Sequence, residues 1–274
     1  MFVAVIEFFE TIIKNWKTIW RLSAHQFVTK NRDTKLGFLW HFLSPLSIAL
    51  VYWFVFGIGF KNGAEHLMGD GTSYSYLSWM FSGMFPFFYF RSNLSESINA
   101  IYSKYNLVSR AGFPVLMLPV VSTITNLFVS LPTFIMPIVQ LLISGDFNFS
   151  ASMLLILYFC AASLLHFTAV SVLFSVLGMI SRDFQRVMRP VLRMLMYFSP
   201  VVWSINGLQE PFATIVKFNP LYHLFEVFRS SFLENYTMDW GTTLYFWIYT
   251  AVIFLIGCFI HSKSKDKYYM SATR

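Results

Sequence analysis

Six stretches of this 274-residue chain hold no lysine, arginine, aspartate or glutamate: residues 36–60, 71–90, 111–145, 147–181, 194–209 and 240–262. A helix rises about 1.5 Å per residue, so the roughly 30 Å of bilayer hydrocarbon is crossed by about 20 apolar residues. Five of the stretches reach that length, and the sixth, 194–209, falls a little short. Hydrocarbon offers no partner to a bare N–H or C=O, so such runs are stable there only as helices or when buried by other helices. The pattern predicts an all-α integral membrane protein with six transmembrane helices. Residues 1–274 then form one membrane domain, with 1–35 at the cytoplasmic surface, 36–262 spanning and 263–274 as a cytoplasmic tail.

Charge is read by side of the membrane. With a cytoplasmic N-terminus and six crossings, seventeen of the twenty Lys and Arg fall in segments 1–36, 91–113, 182–193 and 261–274, whereas Lys61, Lys217 and Arg229 fall outside. Acidic residues show no such bias, six inside and seven outside. Lysine and arginine accumulate on the cytoplasmic side of membrane proteins. The expectation is a multi-pass protein of a plasma membrane with both termini in the cytoplasm, and the net charge of +7 then gives no support to nucleic acid as a partner. Glu7 and Glu10 interrupt the place where a cleavable signal peptide would carry its apolar core, so the first span is expected to direct insertion. Cys160 and Cys258 fall at different depths and read as small buried hydrophobes rather than a disulfide.

The N-terminal segment is amphipathic rather than spanning. Phe9, Ile12, Ile13, Trp16, Ile19, Trp20 and Phe27 share one helical face, and Lys14, Lys17, Arg21 and His25 share the opposite one. A basic amphipathic helix with tryptophan on its apolar side lies in the membrane interface, its cations near acidic headgroups; the alternative is packing against a neighbouring surface of the protein. Span two starts near Tyr74 and continues past Pro86 and Arg91. Pro114, Pro119, Pro132 and Pro137 are expected to break or bend span three. The Gly145-Asp146-Phe147-Asn148 stretch reads as a tight turn, and Pro200 lies in span five. The segment from Pro211 to Tyr236 is too apolar for an ordinary loop. Asn219-Pro220 signals a helix start, after which Leu221, Leu224, Phe225, Phe228 and Phe232 share a face, with Glu226 and Arg229 paired on the other. This predicts a re-entrant or interfacial helix on the outer side.

Catalytic signatures are missing. The chain has no G-x-x-x-x-G-K-[ST] phosphate loop, no G-x-G-x-x-G and no H-E-x-x-H, and no metal site is expected. Carboxylates are absent from the apolar runs, which argues against an ion-coupled carrier. His166, Asn126 and Gln140 read as hydrogen-bond partners between helices. Two cytoplasmic loops remain. Residues 101–114 mix aromatic, aliphatic and basic side chains, as a docking helix for a partner would, although an ordinary basic loop has the same composition. Ser181 to Pro190 carries Arg182 and Asp183, either to set topology or to bond across a subunit contact. Aromatics crowd span one (Phe42, Trp53, Phe56, Phe60) and span two (Trp79, Phe85, Phe87, Phe88, Tyr89). They serve either as packing surface or as a path for sugars, whose C–H faces pack on aromatic rings.

Several motifs together resemble a known family. Lys35-Leu-Gly-Phe-Leu-Trp-His-Phe-Leu-Ser-Pro45, Tyr52-Trp-Phe-Val-Phe-Gly-Ile-Gly59, the stretch from Ile101 to Pro119, Arg182-Asp183 and Phe218-Asn-Pro-Leu-Tyr-His-Leu-Phe-Glu-Val-Phe-Arg229 are similar to those of ABC-2-type polysaccharide export permeases, most closely the teichoic acid export branch. The resemblance implies a homodimer, each copy paired with a separate nucleotide-binding ATPase subunit that holds ATP and Mg. No cofactor is implied in this chain and no catalytic site of its own. It implies that residues 102–113 couple to the ATPase, with Ser103, Lys104, Tyr105, Asn106, Leu107, Val108 and Arg110 as contacts. Its implied cargo is a polymer linked to undecaprenyl pyrophosphate, extruded to the outer surface. From the residues we expect Lys14, Lys17, Arg21 and His25 to attract the anionic lipid-linked head, beside membrane lipids. Tyr52, Trp53, Phe56, Trp79, Phe85, Phe88 and Tyr89 are expected along the path. The competing readings are an O-antigen or capsule exporter of the same architecture, a multidrug ABC-2 pump, a membrane glycan transferase, for which the inner loops offer only Glu96 and Asp183, and a passive channel.

Overall fold

A long apolar run satisfies its own backbone only as a helix, and most of the described residues are helical. The computed structural model describes residues 2–32, 35–60, 66–67, 73–104, 113–147, 149–205, 208–233 and 240–264. Helices α1 (Phe2–Lys14) and α2 (Trp16–Arg32) are parted at Asn15, whose side-chain amide donates back to the Thr11 carbonyl at 2.8 Å. A 3₁₀ turn at Gly37–Leu39 opens α3 (Trp40–Tyr52), which widens into a π-helix at Trp53–Phe60. A two-residue antiparallel ladder, β1 (His66–Leu67) on β2 (Ser73–Tyr74), lies in the loop that follows. Then come α4 (Tyr76–Asn99), α5 (Met117–Ser144), a 3₁₀ turn at Ala151–Leu154, α6 (Leu155–Ile180), α7 (Arg182–Phe198), the short α8 (Phe212–Lys217), α9 (Pro220–Ser230) and α10 (Trp240–Lys263).

Four helical segments among the described residues are long and apolar enough to cross a membrane: Gly37–Gly59, Met117–Ser144, Ala151–Ile180 and Trp240–Lys263. α4 matches them in length at 24 residues but carries Arg91 and Glu96 and is sheathed by protein, with seventeen of its residues buried. The expected fifth span, 194–209, is not a helix of its own. α7 begins at Arg182, takes in the basic loop and stops at Phe198, because Ser199 adopts the extended backbone that a following proline imposes and Pro200 has no N–H to continue the ladder. The prolines of span three do not break it. α5 runs without interruption through Pro132 and Pro137, and Pro119 sits in its first turn, where no intrahelical donor is required. Gly145 ends α5 at φ 80°, in the predicted turn. Of the two free cysteines, Cys258 is buried as expected, whereas Cys160 is exposed on α6.

α4 is the axis of the bundle and touches α3, α5, α6, α7 and α9. Large aromatics fill its packed faces, and small and polar residues fix its contacts with α5 and α6. Asn93 Oδ1 accepts from Ser171 on α6 at 3.2 Å, Ser97 bonds Ser171, and Ser171 bonds Thr123 on α5 at 2.9 Å. Ser92 donates to Asn126 Oδ1 at 3.0 Å, the interhelical role expected of Asn126. His166 meets Thr250 on α10 at 2.8 Å, again joining helices, while Gln140 lies half-buried on α5. In hydrocarbon, interhelical hydrogen bonds and close backbone approach replace the hydrophobic effect as glue. Gly178 shows the approach at its tightest, since a Cβ there would stand 2.0 Å from the Ile98 carbonyl oxygen. Gly178→Val is therefore expected to destabilise the α4–α6 contact by about 1–3 kcal/mol. Thermal unfolding in detergent checks this against Gly59→Ala, whose added methyl meets nothing closer than 3.7 Å and should leave stability unchanged.

Candidate transport site

At the end of the bundle where the basic residues collect, three elements meet. Ser181 caps α7 by accepting from the Phe184 N–H at 3.2 Å, and Asp183 places a carboxylate in the first turn, where the helix dipole favours it. The Arg182 guanidinium lies over the Tyr102 ring at 5.5 Å, so the second loop leans on the first. Asp183 faces Arg186 on its own helix at 3.6 Å, both largely exposed, a pair of little energetic weight. Of the expected coupling residues, Ser103 is exposed and Lys104 half-buried on the turn Tyr102–Lys104. Tyr105, Asn106, Leu107, Val108 and Arg110 lie outside the described residues. The flanks are anchored: Ile101 and Val115 are buried together with Leu118 and Val176. Lys30 of α2 forms an ion pair with Glu96 of α4 beside them.

Lys14, Lys17, Arg21 and His25 are all exposed along α1 and α2, as an attracting surface requires. The apolar face expected opposite them is divided, with Ile12 and Ile19 turned toward the protein. Ala4, Phe8 and Ile19 are the side chains that pack inward, against α5 and α10, and Ser23 donates to the Val121 carbonyl at 3.3 Å. Phe9, Ile13, Trp16 and Trp20 remain exposed. Packing against the protein and an apolar flank free for lipid thus both hold, on neighbouring strips of the same helices.

The aromatic residues divide in two. Tyr52, Trp53, Phe56 and Phe88 are half-buried. The rings of Tyr52 and Phe56 stack in parallel with centroids 5.9 Å apart, and the Tyr52 hydroxyl meets that of Tyr197 on α7 at 2.9 Å. Phe88 lines a groove of about 260 Å³ between α3, α4 and α5, with Trp40, His41, Ser92 and Ser130. Trp79 and Phe85 are 3% and 0% exposed, interior packing groups with no surface for cargo in one protomer. Tyr89, 1% exposed, is wedged edge-on against Phe134 and Phe167. Most of span two is enclosed, and of its aromatics Phe88 and the edge of Tyr89 reach the groove between α3, α4 and α5.

Trp79 has a different partner. Asn219 caps α9 by accepting from the Leu221 N–H at 3.1 Å, with Pro220 in the first turn, as its sequence signals. α9 packs on α4, α6 and α10, and its Arg229 points inward instead of occupying an outer polar face. The guanidinium lies 3.9 Å from the centroid of the Trp79 ring, donates to the Val201 carbonyl at 2.9 Å and pairs with Glu226 at 3.1 Å. Gly83 leaves the room: a Cβ there would stand 2.1 Å from the Arg229 Nη2. The i, i+3 spacing of Glu226 and Arg229 signalled the pair, but nothing local signalled that it is drawn inside.

Sequence reading also passed over the remaining arginines of α7. At 3.6 residues per turn, Arg182, Arg186, Arg189 and Arg193 fall within an arc of about 60°. All four are exposed. Leu192 and Met196 mark the face packed on α4 and α6, and Val187, Met194 and Phe198 form an exposed apolar flank. The helix therefore has three faces, packed, cationic and apolar.

Residues 17–233 match the ABC-2 type transporter family, from α2 through the end of α9. The chain belongs to that family. Relatives of this ABC-2 chain include the O-antigen export system permease protein RfbA of Klebsiella pneumoniae, 23% identical over 88% of this chain and 92% of that protein. RfbA of Myxococcus xanthus is 23% identical over 76% and 77%. The polysialic acid transport protein KpsM of Escherichia coli is 19% identical over 91% and 94%. The matched region of the ABC-2 chain encloses the Arg182–Tyr102 corner, the arginine face of α7 and the buried Arg229. Replacing that buried arginine, Arg229→Met, is expected to lower stability by about 3 kcal/mol, at the low end for a broken buried pair because Glu226 stays one-third exposed. Glu226→Gln keeps an acceptor but leaves the guanidinium, 2% exposed, without its counter-charge, and should lower stability by about 3 kcal/mol as well. Thermal unfolding followed by tryptophan fluorescence measures both.

Proposed function

We propose that this ABC-2 chain is the membrane-spanning permease of an ATP-driven exporter that carries a lipid-linked polysaccharide of the O-antigen or capsule type across a bacterial plasma membrane. The observation that carries the reading is near full-length similarity to permeases named for O-antigen and polysialic acid export, on a family match spanning 17–233. Those names favour an O-antigen or capsular polymer over teichoic acid. The chain works as a homodimer without a catalytic site of its own, and a separate ATPase subunit binding ATP and Mg supplies the work.

The geometry fits these roles. With the basic end in the cytoplasm, Lys14, Lys17, Arg21 and His25 face the inner leaflet beside the exposed Trp16 and Trp20, where the anionic head of a lipid-linked polymer collects. Residues 102–113 dock on the ATPase. Movement there reaches α7 through Arg182 on Tyr102, and α4 and α6 through the buried Ile101 and Val176. Tyr52, Trp53, Phe56 and Phe88 offer rings to the sugar faces.

Deleting the gene in its host is expected to abolish one surface polysaccharide and leave the lipid-linked glycan inside the cell. Composition of the missing polymer separates O-antigen or capsule from teichoic acid, whose backbone is a polyol phosphate. Tyr105→Ala and Leu107→Ala should fold and insert, co-purify with less ATPase subunit and restore little export. An unaltered set of surface glycans in the deletion strain overturns the assignment, and full export by both variants overturns the coupling role.

A further inference from the structure

Measured along α7 from Gln185, Arg186 lies at the same level and Arg189 and Arg193 lie about 6 and 12 Å further along. α4 measures about 33 Å from Tyr76 to Ile98 at 1.5 Å per residue, close to the hydrocarbon thickness. At one end the Tyr76 hydroxyl donates to the Val202 carbonyl at 2.6 Å. At the other, Gly178 abuts the Ile98 carbonyl, and Gln185 Nε2 donates to the Gly178 carbonyl at 2.7 Å. Residues 185 and 202 therefore mark the two ends of α4, and the three arginines fall between them, with Arg193 about 12 Å in from Gln185. Insertion of an arginine at mid-bilayer costs about 2.5–3.5 kcal/mol, and three on one exposed strip would outweigh the apolar gain of a single helix. The strip does not face lipid. Among the described residues Asp183 reaches Arg186 at 3.6 Å, Glu96 and Glu226 are paired with Lys30 and Arg229, and no carboxylate pairs with Arg189 or Arg193.

Building on the exporter assignment, we propose that the Arg186–Arg189–Arg193 face of α7 lines a water-filled conduit and binds the negatively charged groups of an anionic glycan in transit. Guanidinium forks suit carboxylate and phosphate alike, so acidic sugars and phosphodiester-linked units are both taken. The spacing of one cation per turn or less lets the chain pass from one site to the next without a single deep trap. Beyond Arg193 the strip runs into Tyr197, whose hydroxyl is joined to that of Tyr52 above Phe56. Charge recognition there gives way to hydroxyls and rings. The apolar flank of Val187, Met194 and Phe198 closes the side of the conduit toward lipid or the second copy.

The test uses the full chain with its ATPase partner in lipid nanodiscs, on a Cys160→Ala, Cys258→Ala background. Arg189→Cys and Arg193→Cys are expected to react with a permanently charged methanethiosulfonate reagent, and Met194→Cys is not. Dextran sulfate should protect both positions, and neutral dextran should not. With the native cysteines restored, each Arg→Gln change should weaken dextran sulfate binding by roughly ten-fold, the weight of one charge-assisted hydrogen bond, with Arg→Lys recovering part of it. Labelling confined to Arg186→Cys would mean that the strip reaches only for lipid headgroups, and it overturns the proposal. Equal protection by neutral dextran overturns the anionic specificity. If gene deletion spares every surface glycan while dextran sulfate still protects residues 189 and 193, the exporter assignment falls and the conduit stands. Loss of export on deletion, together with full export of an acidic polymer by the triple Arg→Gln chain, has the opposite meaning.

Discussion

Inside hydrocarbon a polar group is stabilised by partners within the protein, and the seam of Asn93 Oδ1, Ser97, Ser171 and Thr123 supplies them between three helices. The seam joins α4, α5 and α6 at points where side chains are small enough for backbones to approach. Gly178 against Ile98 and Gly257 against Leu173 extend the same contact to α10. Larger apolar groups would fill these positions without holding them, because lipid tails are as apolar as leucine and offer an equal alternative. The remaining helices are placed by their contact with this frame. α1 and α2 lie on α10 and α5, and α9 folds back between α4, α6 and α10.

The same demand explains where charge is tolerated. Arg229 is kept at the far end of α4 by a carbonyl, a carboxylate and a ring face, and Gly83 makes the space. Its neighbour in kind, the arginine strip of α7, has no such enclosure in one protomer. The two cases differ in burial: Arg229 is held by contacts within the fold, and the α7 arginines are exposed.

Much of the architecture was legible from periodicity and breakers. The uncharged runs foretold the long helices, Asn219-Pro220 foretold the start of α9, and Gly145 foretold the turn after α5. Errors arose where a local rule was overruled by neighbours. Pro132 and Pro137 did not break α5; both lie on its buried face, where neighbouring groups can meet the carbonyls that lose a ladder bond. The run at 194–209 looked like a short span because it lacks charge, yet Ser199-Pro200 ends the helix and the basic residues before it belong to the same helix. Trp79 and Phe85 have the composition of a sugar path, but composition does not distinguish a ring in the interior from one on a wall.

What the sequence determined by itself was the class of environment, the approximate positions of the crossing segments and the end at which basic residues gather. These follow from hydrophobic length and charge placement, which are properties of the chain read in order. What only the tertiary structure decided was which face of each helix is covered. Arg229 and Arg193 are both arginines on amphipathic helices, and their spacing predicts a face for each. Burial of one and exposure of the other depend on helices remote in sequence, because a helical period names the residues that share a side and leaves open what that side meets.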